Sequence, residues 1–253
     1  NCTKECGIYI TASNVVLDGM HRVTALRNLN YDYVVAYFVD YFHSLIRVKR
    51  WCRVFNLPAS SDKVLSNIFA EISKYCGLSL DYLDIAHGET LLEKRKAIGY
   101  FLFSASSDAL VIFRDDIRTI MGIYRLLKKI ENILMNRFKS NISFIPEENL
   151  NHVFTGKTRN LVLVPPRVMK QEVVFYATKG EVFPPKTTRH IIPLRPFFVN
   201  IPIRLLKKDR LSRSLEELNN LIATILTQRD GVKLRGNIII DRFYEDDYIY
   251  IFI

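Results

Sequence analysis

Short apolar runs broken by Gly, Asn and Asp fill the first fifty residues. Residues 7–17 read as one or two strands, 33–40 as another with Val34, Val35, Tyr37, Phe38 and Val39, and 45–51 as a further one. Between the first two, the spacing Val23, Leu26, Leu29 puts apolar groups on one face of a helix over 21–29. The stretch Pro58-Ala59-Ser60-Ser61-Asp62 reads as a turn whose Ser and Asp residues cap the next helix. That helix runs to Tyr75 with Val64, Leu65, Ile68 and Ile72 on its apolar side, and Cys76-Gly77 stops it. A short helical piece is expected over 80–86.

The pattern changes after Ile98. Residues 99–104 and 109–113 read as two strands of a hairpin joined by Ala105-Ser106-Ser107-Asp108. The clearest helix is 115–138: Ile117, Ile120, Met121, Tyr124, Leu127, Ile130, Ile133 and Leu134 keep helical spacing, and Asp115 and Asp116 favour its N-terminus. Residues 162–164 form a short strand, 170–178 a helix, 183–190 a rigid proline-containing loop, and 191–203 an extended stretch interrupted by prolines. A helix is expected over 214–228, and 238–242 with 248–253 form a last strand pair around the acidic turn Glu245-Asp246-Asp247. The chain shows no internal repeat and no low-complexity segment.

The 253 residues suit one large domain or two small ones, and an apolar fraction of 49% is enough to build a core. The sequence contains no apolar run long enough for a membrane span and no signal-peptide pattern. We therefore expect no membrane partner and a cytoplasmic location. Cys2, Cys6, Cys52 and Cys76 read as reduced thiols; Cys2 and Cys6 have loose metal-ligand spacing, but no second pair completes a zinc site. Net charge is +10, and almost all of it falls in 139–213, where 14 Lys and Arg face 5 Asp and Glu. Such a field favours an anionic ligand, whether nucleic acid, nucleotide or phosphorylated metabolite, and a plain solvated basic face fits it equally. The chain begins at Asn1, directly before a strand-like run and without an initiator Met, as a truncated product would.

Two short segments carry candidate chemistry. In Val15-Val16-Leu17-Asp18-Gly19-Met20-His21-Arg22 a strand turns through glycine into a helix. Backbone N–H groups then point at one spot, the helix dipole adds partial positive charge, and His21 and Arg22 add donors. Asp18 supplies a carboxylate for a metal ion or a hydroxyl, so the set suits a polyphosphate beside Mg²⁺. In the bland alternative Asp18 caps the helix, Gly19 makes the turn, and His21 and Arg22 are solvated. The second segment, Lys179-Gly180-Glu181-Val182-Phe183-Pro184-Pro185-Lys186-Thr187-Thr188-Arg189-His190, holds dense polar groups on stiff backbone. Arg189 can grip a carboxylate or phosphate bidentately, Thr187 and Thr188 offer hydroxyls, and Lys179 or Lys186 a mobile charge. Its alternative is a well-made surface loop, and for Trp51, the single tryptophan, a core or interface role.

Asp18-Gly19-Met20-His21-Arg22 resembles the Asp-Gly-x-His-Arg box of the ParB/sulfiredoxin-like superfamily. Gly180 to His190, followed by Ile201-Pro202-Ile203-Arg204-Leu205-Leu206, resembles the second-domain motif of the free L-serine kinases in that superfamily. The resemblance implies an α+β chain with a ParB/sulfiredoxin-like nucleotide-binding domain over 1–86, N-terminally incomplete. A mixed α/β second domain over 87–253 would follow, with a cleft between them. It implies phosphoryl transfer from ATP or ADP, with Mg²⁺, to the hydroxyl of free L-serine, in cysteine synthesis or siderophore precursor supply. By the same resemblance Gly19, Met20, His21 and Arg22 bind nucleotide, Asp18 is the acidic residue required for transfer and the metal ligand, and Asp18, His21 and Arg189 are catalytic. Trp51, Thr188, Arg189 and His190 match the serine-binding set. Family members carry a further N-terminal segment with a glutamate that acts as base on the serine hydroxyl; nothing in this sequence matches it, and Glu5 is not assigned that role. Two other readings stand beside this one. A ParB-like, DNA-binding regulator would account for the basic segment, although no helix-turn-helix pattern stands out. A sulfiredoxin-like redox enzyme would need a cysteine in the first box, where Met20 stands.

Overall fold

The computed structural model describes residues 8–11, 14–57, 62–104, 107–154, 160–208, 214–240 and 243–253. In chain order these form β1 (Ile8–Thr11), β2 (Val16–Asp18), α1 (Met20–Asn28), β3 (Ala36–Val39), β4 (Arg47–Asn56), α2 (Asp62–Cys76), β5 (Ser79–Asp84) and α3 (Ile85–Glu93). There follow β6 (Gly99–Leu102), β7 (Asp108–Phe113), α4 (Ile120–Phe138), β8 (Asn141–Pro146), a 3-10 turn (Glu147–His152), β9 (Asn160–Val164) and α5 (Lys170–Thr178). The last elements are β10 (Thr188–Ile191), β11 (Leu194–Phe197), a second 3-10 turn (Ile203–Leu206), α6 (Leu215–Thr227), β12 (Gly231–Arg235), β13 (Ile238–Ile239), β14 (Phe243–Tyr244) and β15 (Tyr248–Phe252). The expected α+β class is what is found. None of the described helices is long and apolar enough to cross a membrane.

Two compact units divide the chain. The first is discontinuous, Asn1–Arg47 with His190–Ile253, and the second is Val48–Arg189. These limits differ from the boundary expected near residue 86. A strand that leaves one unit inside a continuous apolar run carries no composition change to mark the crossing.

In the first unit, β1 pairs antiparallel with β2, with a bulge between Tyr9 and Ile10, and parallel with β3. A second sheet runs β11-β15-β12, with β15 parallel to β11 and antiparallel to β12. The expected terminal hairpin is therefore not formed: β13 pairs with β14, and β15 becomes a central strand. Phe197, Tyr244 and Ile249 form the buried nucleus beside Phe198, Ile238, Ile240 and Ile251. Gly236 has no room for a side chain, since a Cβ would fall 1.5 Å from the carbonyl oxygen of Asp246. The helix α6 opens on a capping box, Ser214 accepting from the Glu217 N–H and Glu217 from the Ser214 N–H.

The second unit is built on a seven-stranded sheet, β10-β4-β9-β6-β7-β5, with β8 also on β4. All four residues of β6 and four of the five in β9 are buried, as expected of strands covered on both faces. Cys52, Val54, Tyr100, Leu102, Val111, Val162 and Val164 pack with Leu92 and Ala97. The α2 and α4 helices pack on each other, and Phe69 of α2 meets Phe101 of β6 at 5.4 Å between ring centres. Three expectations need correction here. Of residues 80–86 only Ile85 and Ala86 are helical, as the start of α3: β5 pairs with β7 along its length to Asp84, which caps α3 by accepting from the His87 N–H at 2.8 Å. The Leu80/Leu83 spacing imitates a helix, but sheet pairing decides. The α4 helix starts at Ile120, capped by Thr119, while Asp116 is held by Arg114 at 2.6 and 2.9 Å. Thr188, Arg189 and His190 lie on β10 rather than in the loop before it. Residues 58–61 of the turn and 105–106 of the linker lie outside the described residues.

Candidate active site

In the first unit the strand–turn–helix expected around Asp18 is present. Gly19 sits at φ 88°, ψ 16° as the N-cap of α1, a left-handed conformation that favours glycine. Asp18 does not cap the helix through its side chain in the usual way: its Oδ1 accepts from the Gly19 N–H at 2.7 Å. No side chain among the described residues caps α1, so its N-terminal dipole lies beside His21 and Arg22. The apolar face expected for α1 is shallow, because no residue of this helix is buried and Leu29 is exposed.

The other oxygen of Asp18 accepts from Arg195 Nη1 at 2.8 Å. Arg195 is buried, and its remaining donors reach Asp246 (Nε to Oδ2 2.5 Å, Nη2 to Oδ1 3.3 Å) and the carbonyl of His190 (3.4 Å). Asp246 is buried too and accepts from the Ile192 N–H at 2.9 Å. Burial alone would push the Asp18 carboxyl up; the charge and hydrogen bond of Arg195, the Gly19 N–H and Arg22 outweigh it and hold the group below its usual 3.8. Asp18 is therefore an anion at neutral pH. His190 Nε2 lies 2.8 Å from the hydroxyl of buried Tyr41, whose ionisation burial pushes up, so that phenol stays neutral.

In the second unit Trp51 is half-buried on β4, opposite Pro146 of β8. Its ring carries Lys186 Nζ at 4.5 Å and Arg189 Cζ at 5.6 Å from the centroid. Arg189 also binds Glu148, which binds Lys49. Two cations thus face the indole, and Glu148 links one of them, Arg189, to Lys49. The 3-10 turn that presents Glu148 is anchored by Glu147, held by Arg50 at 2.9 Å and Arg167 at 2.7 Å. Burial would raise the Glu148 carboxyl, but Lys49 and Arg189 hold it below its usual 4.5. Below the indole, Arg53 donates to the Trp51 carbonyl at 2.7 Å. Thr187, expected from the sequence to offer its hydroxyl to a ligand, does not: it is 2% exposed, and its hydroxyl donates to the Pro184 carbonyl at 2.6 Å, closing the turn.

Of the sequence candidates, Asp18, Gly19, Met20, His21, Arg22 and His190 belong to the first unit, where Arg195 ties Asp18 to the His190 backbone. Trp51, Thr188 and Arg189 belong to the second, where Trp51 and Arg189 stand together. Sequence reading missed Arg195, Asp246, Tyr41 and Glu148. The one available signal was an arginine inside the apolar, proline-flanked run 191–199, a position that demands a partner. Cys52 and Cys76 are free thiols, as expected, and burial pushes Cys52 up to about 12, which makes it unreactive. Cys2 and Cys6 lie outside the described residues. Among the described residues no group of three His, Cys, Asp or Glu side chains stands together as a metal cage. A single carboxylate such as Asp18, half-exposed and with one lone pair left on each oxygen, still fits the way Mg²⁺ is held when phosphates supply the other ligands.

These carboxylates fix an acid limit on stability. Asp18, Glu148 and Glu89, which is paired with buried Arg50 and accepts from the Tyr100 hydroxyl, all titrate below their usual values when folded, so their contribution is complete above the unfolded values of 3.8 and 4.5 and is lost as pH falls through the folded ones. Thermal midpoints should hold level down to about pH 5 and drop below about pH 4. A midpoint that stays level or rises between pH 4 and 3 would contradict these ion pairs.

No protein-family model matches the chain. It is 28% identical over 198 residues to an ATP-dependent L-serine kinase of Staphylothermus marinus, covering 76% of this chain and 72% of that one. It is 30% identical over 181 residues to a ParB-like protein of Sulfolobus acidocaldarius, covering 71% and 69%. Among solved structures, a free serine kinase in complex with AMP superposes with a TM-score of 0.59 at 18% identity, over 81% of this chain and 79% of that one, which shows a shared fold. The chain belongs to the ParB-like family.

Proposed function

We propose that this chain is a nucleotide-dependent kinase of free L-serine, transferring a phosphoryl group from ATP or ADP to the serine hydroxyl. The observation that carries the reading is an ionised Asp18 at the end of β2, immediately before an α1 N-terminus flanked by His21 and Arg22, in a chain related to a named L-serine kinase. Phosphoryl transfer depends mainly on positioning and on positive charge where negative charge develops. Gly19, Met20, His21 and Arg22 would receive the phosphates, as helix N-termini do. Asp18 would hold Mg²⁺, which would supply positive charge against the donor phosphates. Trp51, Thr188, Arg189 and His190 would take the amino acid, with Arg189 gripping its carboxylate or the moving phosphoryl group.

Incubating serine with Mg²⁺ and either nucleotide, then reading the product by mass spectrometry, tests this directly. Phosphoserine with ATP or with ADP is the expected result; none with either overturns the reading. Arg189→Ala should lower kcat/KM for serine about 10–100-fold, the worth of a charge-assisted hydrogen bond, because Glu148 already shares that guanidinium. An unchanged kcat/KM would remove Arg189 from the serine site.

A ParB-like regulator that contacts DNA remains the second reading, favoured by the basic stretch 139–213 and the ParB-like relative. Against it, Arg167, Arg189 and Arg195 of that stretch are engaged by carboxylates, which reduces the free positive field. DNA binding that weakens steeply with salt would support it, and no binding at low salt would end it.

A further inference from the structure

We infer that Arg195 is the positioning residue for Asp18: its guanidinium, clamped by Asp246, fixes the Asp18 carboxylate in the one orientation that phosphoryl transfer uses. This rests on the kinase reading. The geometry is that of a relay with a fixed base. Asp246 is 3% exposed and takes two contacts from Arg195, Nε to Oδ2 and Nη2 to Oδ1, the side-on fork that sets the plane of a guanidinium. Asp246 is itself held by the Ile192 N–H, and its carbonyl lies against Gly236, where a Cβ cannot fit. With two donors committed to Asp246, Nη1 points to Asp18 Oδ2 at 2.8 Å, while Nη2 also reaches the His190 carbonyl at 3.4 Å.

The charges decide what this achieves. One guanidinium lies between two carboxylates, so the trio keeps a net negative charge and Asp18 is oriented without being neutralised. Its free rotation about χ2 is lost, since Gly19 N–H holds one oxygen and Arg195 the other. An ammonium could approach either carboxylate, but it lacks the planar fork that reaches both in fixed directions. Arg195 also touches the segment that carries His190, so the same side chain sets the register of two candidate groups.

The test compares the full chain with Arg195→Gln, Arg195→Lys and Arg195→Ala, following phosphoserine formation with saturating nucleotide. Arg195→Gln should lower kcat about 100-fold, the scale expected when a reacting group is misplaced by an ångström, with KM for nucleotide changed by less than about threefold. Arg195→Lys should recover little of that loss. Added guanidinium should restore turnover to Arg195→Ala in a saturable way, but not to Arg195→Ala carrying Asp18→Asn as well. If Asp18→Asn and the double variant Asp18→Asn/Arg195→Gln are equally slow, Arg195 acts through Asp18. Multiplicative losses, or a kcat within about threefold of the parent for Arg195→Gln, overturn the inference while leaving the kinase reading intact. A variant too unstable to assay is covered by the guanidinium arm, where rescue that only follows the recovered folded fraction, read by circular dichroism, also overturns it. A parent chain that makes no phosphoserine overturns the kinase reading and this inference with it.

Discussion

Asp18→Ala is expected to slow phosphoserine formation at least ~100-fold, as the loss of one preorganised charged group typically does. The substitution removes an anion that the fold maintains against burial, and it removes it at the junction of β2 and α1. It does not strand the buried guanidinium, because Arg195 keeps Asp246 as its partner. The fold should therefore persist, less the contribution of the Asp18 ion pair, while turnover collapses. Asp18→Asn keeps the shape but not the charge: its one amide oxygen can accept from Gly19 or from Arg195 but not from both, and it should be nearly as slow. Turnover within about threefold of the parent in both variants would remove Asp18 from the reaction.

Glu131→Ala is expected to lower the unfolding free energy by about 3–5 kcal/mol, the usual cost of breaking a buried ion pair from one side. Glu131 and Arg53 are 3% and 1% exposed, and Arg53 Nε donates to Glu131 at 2.9 Å. Without Glu131, Arg53 keeps the Trp51 carbonyl and the faces of Tyr124 and Phe144, but no anion. Lys128, the second cation on Glu131, is half-exposed and can return to water. Replacing both members with methionine should cost less than removing Glu131 alone, since no charge is then left uncompensated. Urea unfolding reads both effects, as a lower midpoint at unchanged slope. A loss below about 1 kcal/mol for Glu131→Ala would mean that Arg53 is not dependent on its partner. The same arginine holds the backbone of Trp51, so the damage should extend to serine binding.

Much of the local structure was readable. The α5 helix falls where its pattern placed it, and α2 and α6 agree within a residue or two, because each buries a stripe or ends on a recognisable cap. The strand–glycine–helix turn at Asp18 was readable for the same reason: it is a local feature with a fixed chemistry. What stayed hidden was pairing over long separations. The β8 strand pairs with β4, nearly ninety positions away, and its Asn141–Pro146 segment carries no strong alternation. The Asp18–Arg195 and Arg195–Asp246 contacts span 177 and 51 positions. No periodicity encodes such a pair; only an arginine placed in an apolar stretch hinted at it. The residues named from the family resemblance can be picked out of the sequence one by one, while the groups that contact them come only from tertiary structure.

The first unit is closed only by the last quarter of the chain, since Asn1–Arg47 waits for His190–Ile253 while Val48–Arg189 is made in between. The common order of synthesis, in which the leading part folds first, is therefore inverted. A ribosome will have released the whole intervening unit before Arg195 and Asp246 emerge to receive Asp18. Any polypeptide stopped short of that point carries the turn at Gly19 without the guanidinium beside it, so prematurely terminated products should be catalytically inert even where their central unit has already folded.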